Sequence, residues 1–265
     1  MKYKLVITHN GKFHTDELSS DALGRVLKVI QFDAPIERRK RGNITDEEFY
    51  DPTILILDIG ERYQPELGNF DHHQDPDLEA TNMLVLRYWC EDKQIFVEHM
   101  SRKLFKYISD LDRGLRDRRT ETAGFTAVIR NYNGYGEAGF EKARELIMLM
   151  LKGYIHTAHN TIKTQKKWPN FERVSSGKIA IMKPGDRFVI DWQDLAEEDG
   201  VYLLLLPNKD DKTMYNIMVR DTRILTISKH LDQKYLHYKG FLGTYKSYEA
   251  AVKHAKQMVR SLPVK

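Results

Sequence analysis

Cysteine is nearly absent: Cys90 is the single thiol in 265 residues. One cysteine excludes an intrachain disulfide and fits a reducing compartment. Its setting, Val85-Leu86-Arg87-Tyr88-Trp89-Cys90, predicts a small buried hydrophobe rather than a nucleophile. Long apolar runs are missing too. Val201 to Pro207 is the nearest approach to one, far below the roughly 20 residues that cross a bilayer. Met1-Lys2-Tyr3-Lys4 leads directly into an apolar segment without the h-region of a signal peptide. A large charge of one sign is also lacking: 42 Lys and Arg face 38 Asp and Glu, a net charge of +4. An interest in nucleic acid must therefore come from a local patch and not from a bulk field. The expectation is a soluble, cytoplasmic protein without membrane contact. Neither internal repeats nor low-complexity segments are visible.

What is present is an alternation of strand and helix patterns. Tyr3-Lys4-Leu5-Val6-Ile7 reads as a strand, and Leu18, Ala22, Leu23, Val26, Leu27 and Ile30 form an apolar stripe at helical spacing. Asp33 to Ile36 reads as a second short strand, and the charged stretch Glu37 to Asp51 as a solvated loop or edge. Thr53-Ile54-Leu55-Ile56-Leu57 is the cleanest buried strand and suits a parallel sheet. Tyr63 to Asn69 reads as a loop, Thr81 to Cys90 and Gln94 to Ser109 as helices, and Asn131 to Gly136 as a loop. Glu141 to Lys166 is the longest helical pattern, and Lys163 to Asn170 the expected linker. Beyond it, strand patterns at 178–182, 201–206 and 214–219 precede a helix from Ser247. The expected fold is α/β: an N-terminal domain over 1–165 with a mainly parallel sheet flanked by helices, then a small α+β module over 172–265 that closes over the cleft.

Between these elements lies an unusual set of polar residues. Thr8-His9-Asn10-Gly11-Lys12-Phe13-His14-Thr15-Asp16-Glu17 leaves the first strand and enters the first helix. Asp58 ends the cleanest strand, Asp71-His72-His73 follows, and Asp112 stands near Gly114. The carboxyl ends of strands are where open α/β sheets place their ligands. Each residue alone has an ordinary reading as a cap or a surface group. Jointly they form a set of imidazoles and carboxylates without thiolate, which suits Mn²⁺, Fe²⁺, Co²⁺ or Zn²⁺ better than Mg²⁺ or Ca²⁺. So many carboxylates would hold two divalent ions about 3.5–4 Å apart, the arrangement that clamps both oxygens of a phosphoryl displacement.

Asp71-His72-His73 resembles the signature of the DHH phosphoesterase superfamily, which includes exonucleases, oligoribonucleases and manganese pyrophosphatases. THNGKFHTDE, LDIGERYQPELGNFDHHQ and the tail GFLGTYKSYEAAVKHAKQMVRSL resemble, more closely, the melanocyte-proliferating-gene family, linked to 3′-to-5′ exonuclease activity on RNA. The resemblance implies a DHH-type N-terminal domain. It also implies that His9, His14 and Asp58 hold one ion and that Asp16, Asp58, His72 and Asp112 hold a second, with Asp58 bridging. His73 would face the substrate phosphate and Asp71 would orient its histidine neighbours. The family's acid before Asn-Gly reads here Asp110-Leu111-Asp112-Arg113-Gly114, which leaves Asp110 as an alternative last ligand. In the tail, Gly-Gly-His becomes Gly243-Thr244-Tyr245-Lys246, where Lys246 could meet a phosphate and Tyr245 stack on a base, or the segment form an ordinary turn.

The expectation is thus a metal-dependent phosphodiesterase, a 3′-to-5′ exoribonuclease on short or single-stranded RNA, using two divalent ions, Mn²⁺ first with Mg²⁺, Co²⁺ or Zn²⁺ as alternatives. Asp58, Asp71, His72 and His73 would serve catalysis, and Lys12, His73 and Lys246 would meet substrate. The competing readings are a phosphatase of pyrophosphate or a nucleotide, and a metal-bearing nucleic-acid-binding protein without turnover. A homodimer stays open.

Overall fold

The segment Leu5–His9 forms β1, with Val6 and Ile7 fully buried, an interior strand of the first of two sheets. The structure, a computed structural model, describes residues 2–117, 124–185 and 191–264, in two units, Met1–Ala158 and His159–Lys265. In the first unit β2 (Ile36–Arg39), β3 (Ile54–Leu57), β4 (Tyr63–Gln64) and β5 (Asn69–Phe70) join β1 in the order β2-β1-β3-β5-β4. All pairings are parallel except the edge strand β4. Thr8 lies opposite Leu57, so His9 and Asp58 leave the sheet side by side at its carboxyl edge.

The charged stretch after Pro35 is more ordered than a solvated loop. Ile36, Glu37, Arg38 and Arg39 pair with Val6 to His9 as an edge strand, where half the side chains stay wet. Asp46–Tyr50 forms a short helix, α2, with a Thr45–Glu48 capping box. The segment expected as a loop at Tyr63 to Asn69 holds β4, a tight turn at Pro65–Leu67 and the start of β5. Strands of two residues carry no periodicity to read.

Helix α1 (Thr15–Val26) is buried on nearly every side and packs against α3 (Thr81–Trp89). Its Gly24 lets both α3 and the chain after α1 come close, since a Cβ there would lie 3.0 Å from Trp89 of α3 and 2.5 Å from Ile30. Buried Arg25 bonds Asp21 at 2.8 Å and the carbonyls of Gln31, Phe32 and Ala34, closing the connection from α1 to β2. Arg144 adds a second cation to Asp21 at 3.1 Å. Helix α4 (Gln94–Met100) runs through a π-turn at Ser101–Phe105 into α5 (Lys106–Asp112), and Gly114 at φ +72° follows. Helix α6 (Phe125–Asn131) and a 3₁₀ turn at Tyr132–Tyr135 take the place of the expected loop and lead into α7 (Gly136–Lys167). Cys90 is fully buried, and burial pushes its thiol up to about 11, as befits an inert core residue.

The second unit is a six-stranded sheet with the order β10-β11-β9-β8-β7-β6. Its strands are β6 (Glu172–Val174), β7 (Ile179–Ile181), β8 (Leu203–Pro207), β9 (Tyr215–Val219), β10 (Gln233–Leu236) and β11 (Leu242–Tyr245). All pairs are antiparallel except β7 with β8. Ile179, Leu203, Leu205, Ile217 and Tyr245 pack on α9 (Tyr248–Met258) through Ala251 and Ala255. The other face carries Ala180, Leu204 and Leu206 under Trp168, Phe171 and Trp192, the last from α8 (Trp192–Glu198).

Lys163 to Asn170, the expected linker, completes α7 and turns once through Trp168, which is buried and donates its indole N–H to Asp199 at 2.8 Å. One expectation fails here. Gly243-Thr244-Tyr245 is a strand and not a turn, and Tyr245 is fully buried, so it cannot stack on a base. Its hydroxyl bridges Gln233 at 2.8 Å and His254 at 2.6 Å.

Candidate metal centre

The carboxyl edge of the first sheet assembles the polar residues of three segments. Asp58, the residue that follows β3, adopts φ +60°, a conformation that costs a non-glycine residue about 1–3 kcal/mol and gathers at functional sites. Its carboxylate is buried and meets three imidazoles. Oδ2 lies 3.4 Å from His9 Nε2, and Oδ1 lies 3.4 Å from His72 Nε2 and 3.6 Å from His73 Nδ1. Thr81 donates its hydroxyl to the same Oδ1 at 3.3 Å.

The loop after β1 is pinned from outside. Arg38 donates to the Gly11 carbonyl at 2.7 Å and lies over the Phe13 and Phe140 rings. Asn133 accepts the Phe13 N–H at 2.8 Å and donates to the Phe13 carbonyl at 3.0 Å. His14, next in the chain, caps α1, where its N–H donates to Glu17 Oε1 at 2.7 Å. The Glu17 carboxylate is buried and 3.4 Å from His9 Nε2. His9 engages the Asn10 carbonyl through Nδ1 at 3.0 Å, which leaves Nε2 aimed at the acids.

Asp16 lies fully buried at the start of α1. Its Oδ2 accepts the Thr81 N–H at 3.0 Å and its Oδ1 the Asn82 N–H at 2.7 Å, so it caps α3 from a distance. Asp112, at the end of α5, stands 3.2 Å from His72 Nε2 and 3.7 Å from His14 Nδ1. Asp110 turns to Lys106 at 3.0 Å and Arg116 at 3.4 Å. Asp71 accepts the Glu61 N–H at 2.7 Å and holds His73 Nδ1 at 2.6 Å.

Three overlapping groups result, each with ligand atoms within 4.8 Å of one another: His9, His14, Glu17 and Asp58; Asp58, His72 and His73; Asp16, His72 and Asp112. Asp58 and His72 each belong to two of them. His9 Nε2, His72 Nε2, Asp58 Oδ2 and Glu17 Oε2 are buried without a hydrogen-bond partner, and His9 Nε2 lies 3.4 Å from Asp58 Oδ2. Buried polar atoms are seldom left so, and a divalent cation fits the imidazole and carboxylate set. The electrostatics agree. Burial works against a proton on His9 and His72, yet the carboxylates of Asp58 and Glu17 push His9 up to about 11, and those of Asp112 and Asp58 push His72 up to about 10. Asp58, despite its burial, is held far below the usual carboxylate range by His72 and His9. Burial and the neighbouring Asp58 and Asp112 carboxylates raise Asp16 well above that range. The cluster is short of positive charge.

Glu17 and Arg130 escape the sequence reading. Glu17 looks like a first-turn acid that complements the helix dipole, and nothing distinguishes it from one until His9 is seen beside it. Arg130 and Thr126, one helical turn apart on α6, line a small cavity of about 50 Å³ with His14, Asp16 and Asp112. Lys12 is exposed on the same loop as His9 and His14. Lys246 is exposed at the end of β11 in the second unit.

Among the described residues no helix is long and apolar enough to cross a membrane. Residues 5–83, which carry His9, His14, Asp16, Glu17, Asp58, Asp71, His72 and His73, match the MYG1_exonuc family profile, described as an uncharacterised protein family (UPF0160). The chain is 26% identical over 140 residues to the MYG1 protein of Chlamydia trachomatis, covering 50% of this chain and 45% of that one. It is 36% identical over 77 residues to the MYG1 exonuclease of Homo sapiens, covering 29% and 19%. The corresponding figure for the MYG1 exonuclease of Mus musculus is 35% over 77 residues, again 29% and 19%. The chain spans less than half the length of these curated relatives. Segment 5–83, which carries most of the candidate ligands, is thus the part of the chain that is similar to the MYG1 family.

Proposed function

We propose that the chain is a metal-dependent phosphodiesterase, a 3′-to-5′ exoribonuclease acting on short or single-stranded RNA. The observation that carries this reading is Asp58, strained at φ +60° and shared between two ligand groups at the carboxyl edge of a parallel sheet. His9, His14 and Asp58, joined by Glu17, hold one divalent cation. Asp16, His72 and Asp112 would hold a second, with Asp58 and His72 each shared between two of the ligand groups. Mn²⁺ suits this mixture of imidazole and carboxylate. Divalent cations held there supply Lewis-acid charge to a phosphoryl group and a nucleophile near neutral pH.

The chain's own residues supply the rest. Asp71 engages His73 Nδ1 and so fixes the ring, whose Nε2 donates to a phosphoryl oxygen when His73 is the doubly protonated imidazolium. Arg130, beside the cavity of His14, Asp16 and Asp112, brings a planar cation suited to phosphate. Lys12 adds charge from the loop. The name exonuclease borne by the human and murine relatives supports a nucleic-acid substrate.

The test is turnover of an end-labelled RNA oligomer with Mn²⁺ and with chelator. Products that shorten one nucleotide at a time, only with metal and only with Asp58 intact, support the reading. An Asp58→Asn protein as active as the wild type removes it. Release of phosphate from pyrophosphate without any attack on RNA replaces it with the small-substrate phosphatase.

A further inference from the structure

A second opening lies on the far side of α6 from the metal centre. It is a groove of about 520 Å³, of a size that holds a nucleotide, lined by Val128, Asn131, Tyr132, Tyr135, Gly139 and Lys142. Tyr135 is 74% exposed, and its ring centre is 6.4 Å from that of Tyr132. Ion pairing leaves Lys142 at the surface, 3.0 Å from Glu145. Two aromatic faces beside a lysine on a small-residue floor match the chemistry of a base joined to a phosphate.

The groove is also rigidly tied to the metal centre. Asn133, between the two tyrosines, holds both the N–H and the carbonyl of Phe13, the residue before His14. Along α6, Thr126 and Arg130 face the cavity beside Asp112, whereas Val128, Asn131 and Tyr132 face the groove. A helix with its side chains is about 10–12 Å across. That separation equals about three nucleotides at the ~3.4 Å rise of a stacked strand, and fewer in an extended one.

We infer that this groove is a nucleobase-stacking subsite for single-stranded nucleic acid, which takes a base of the same strand whose phosphate lies at the metal centre. The inference rests on the proposed nuclease reading and deepens it: the substrate is an oligonucleotide and not pyrophosphate or a lone phosphate. Tyr135 supplies the principal stacking face, Tyr132 the wall, and Lys142 the backbone contact.

The experiment is a fluorescence anisotropy titration of the Mn²⁺-loaded chain with a labelled pentaribonucleotide carrying a non-hydrolysable backbone, beside an abasic oligomer of the same length. Tyr135→Ala is expected to weaken binding of the intact oligomer by about tenfold or more, and Tyr135→Trp to restore it. The abasic oligomer binds the wild type weakly and loses nothing further on Tyr135→Ala. Intact binding by Tyr135→Ala, an equal loss on both oligomers, or no RNA binding by the wild type overturns the inference. The two proposals fail separately. Base-dependent binding without RNA turnover sinks the nuclease reading alone, and turnover indifferent to Tyr135 with unchanged binding sinks the subsite alone.

Discussion

One carboxylate, that of Asp16, accepts the backbone N–H of Asn82 at 2.7 Å and points into the same crevice as Asp112 and His72. It therefore caps a helix and crowds the carboxylates of Asp58 and Asp112 at once. Burial and those acids raise its pKa, so in the metal-free chain the charged form is disfavoured and the residue subtracts from stability as pH rises above the unfolded value. Asp16→Asn is expected to leave the metal-free chain at least as stable as the wild type, because the amide oxygen still accepts one N–H. The stabilisation given by saturating Mn²⁺ shrinks in the variant. Thermal unfolding with and without metal checks both parts.

Metal binding should release protons. His9, with a pKa near 11, and His72, near 10, both carry a proton at neutral pH in the metal-free chain, and both must lose it to become ligands. Affinity for Mn²⁺ thus rises with pH across the neutral range, by about tenfold per pH unit for each proton displaced. Calorimetric titrations in buffers of differing ionisation enthalpy count those protons. A pH-independent affinity contradicts the assignment of these imidazoles.

The buried Asp21–Arg25 pair, with Arg144 beside it, makes the same kind of statement about stability. Arg25→Ala leaves Asp21 buried with a weaker partner and frees three carbonyls. Breaking such a pair costs about 3–5 kcal/mol, which corresponds to a fall of about 10 °C in Tm for a unit of this size. Arg25→Lys recovers little, since one ammonium cannot reach the same spread of acceptors. Differential scanning calorimetry measures it.

In the second unit His254 sits beneath Tyr245, its Nδ1 2.6 Å from the hydroxyl. Burial, and then the stacked His230, lowers its pKa. The unfolded state therefore binds the proton more readily, and the unit loses stability as pH falls below about 6.5, until the lowered folded value is passed. Replacing His254 by Gln flattens this dependence. Urea unfolding between neutral and mildly acidic pH, followed by tryptophan fluorescence from Trp168 and Trp192, reports it.

The parts of this structure that were legible in the sequence are those where one physical signal dominates. Leu5 to Ile7 and Ile54 to Leu57 are short apolar runs that only a buried parallel sheet accommodates, and the stripe from Leu18 onward has a helix period. The polar residues at the ends of such strands do come together, His9, Asp58 and His72 among them, because parallel strands deliver their carboxyl ends to one edge. β10 was not legible, because Gln233 to Leu236 is half exposed and polar and its register depends on β11. Tyr245 looked like a free aromatic and is core, since in a strand its direction depends on the alternation that Gly243 and Thr244 set. Arg130 is one basic residue among 42 until the fold brings α6 beside Asp112.

The most direct test of the metal centre is the divalent metal bound per chain, measured on the wild type and on Asp58→Ala after equilibration with Mn²⁺ and removal of free ion. Because Asp58 is shared between ligand groups, two ions are expected on the wild type and the loss of both in the variant, with the far-ultraviolet dichroism of the fold retained. A folded Asp58→Ala protein that holds as much Mn²⁺ as the wild type would contradict it.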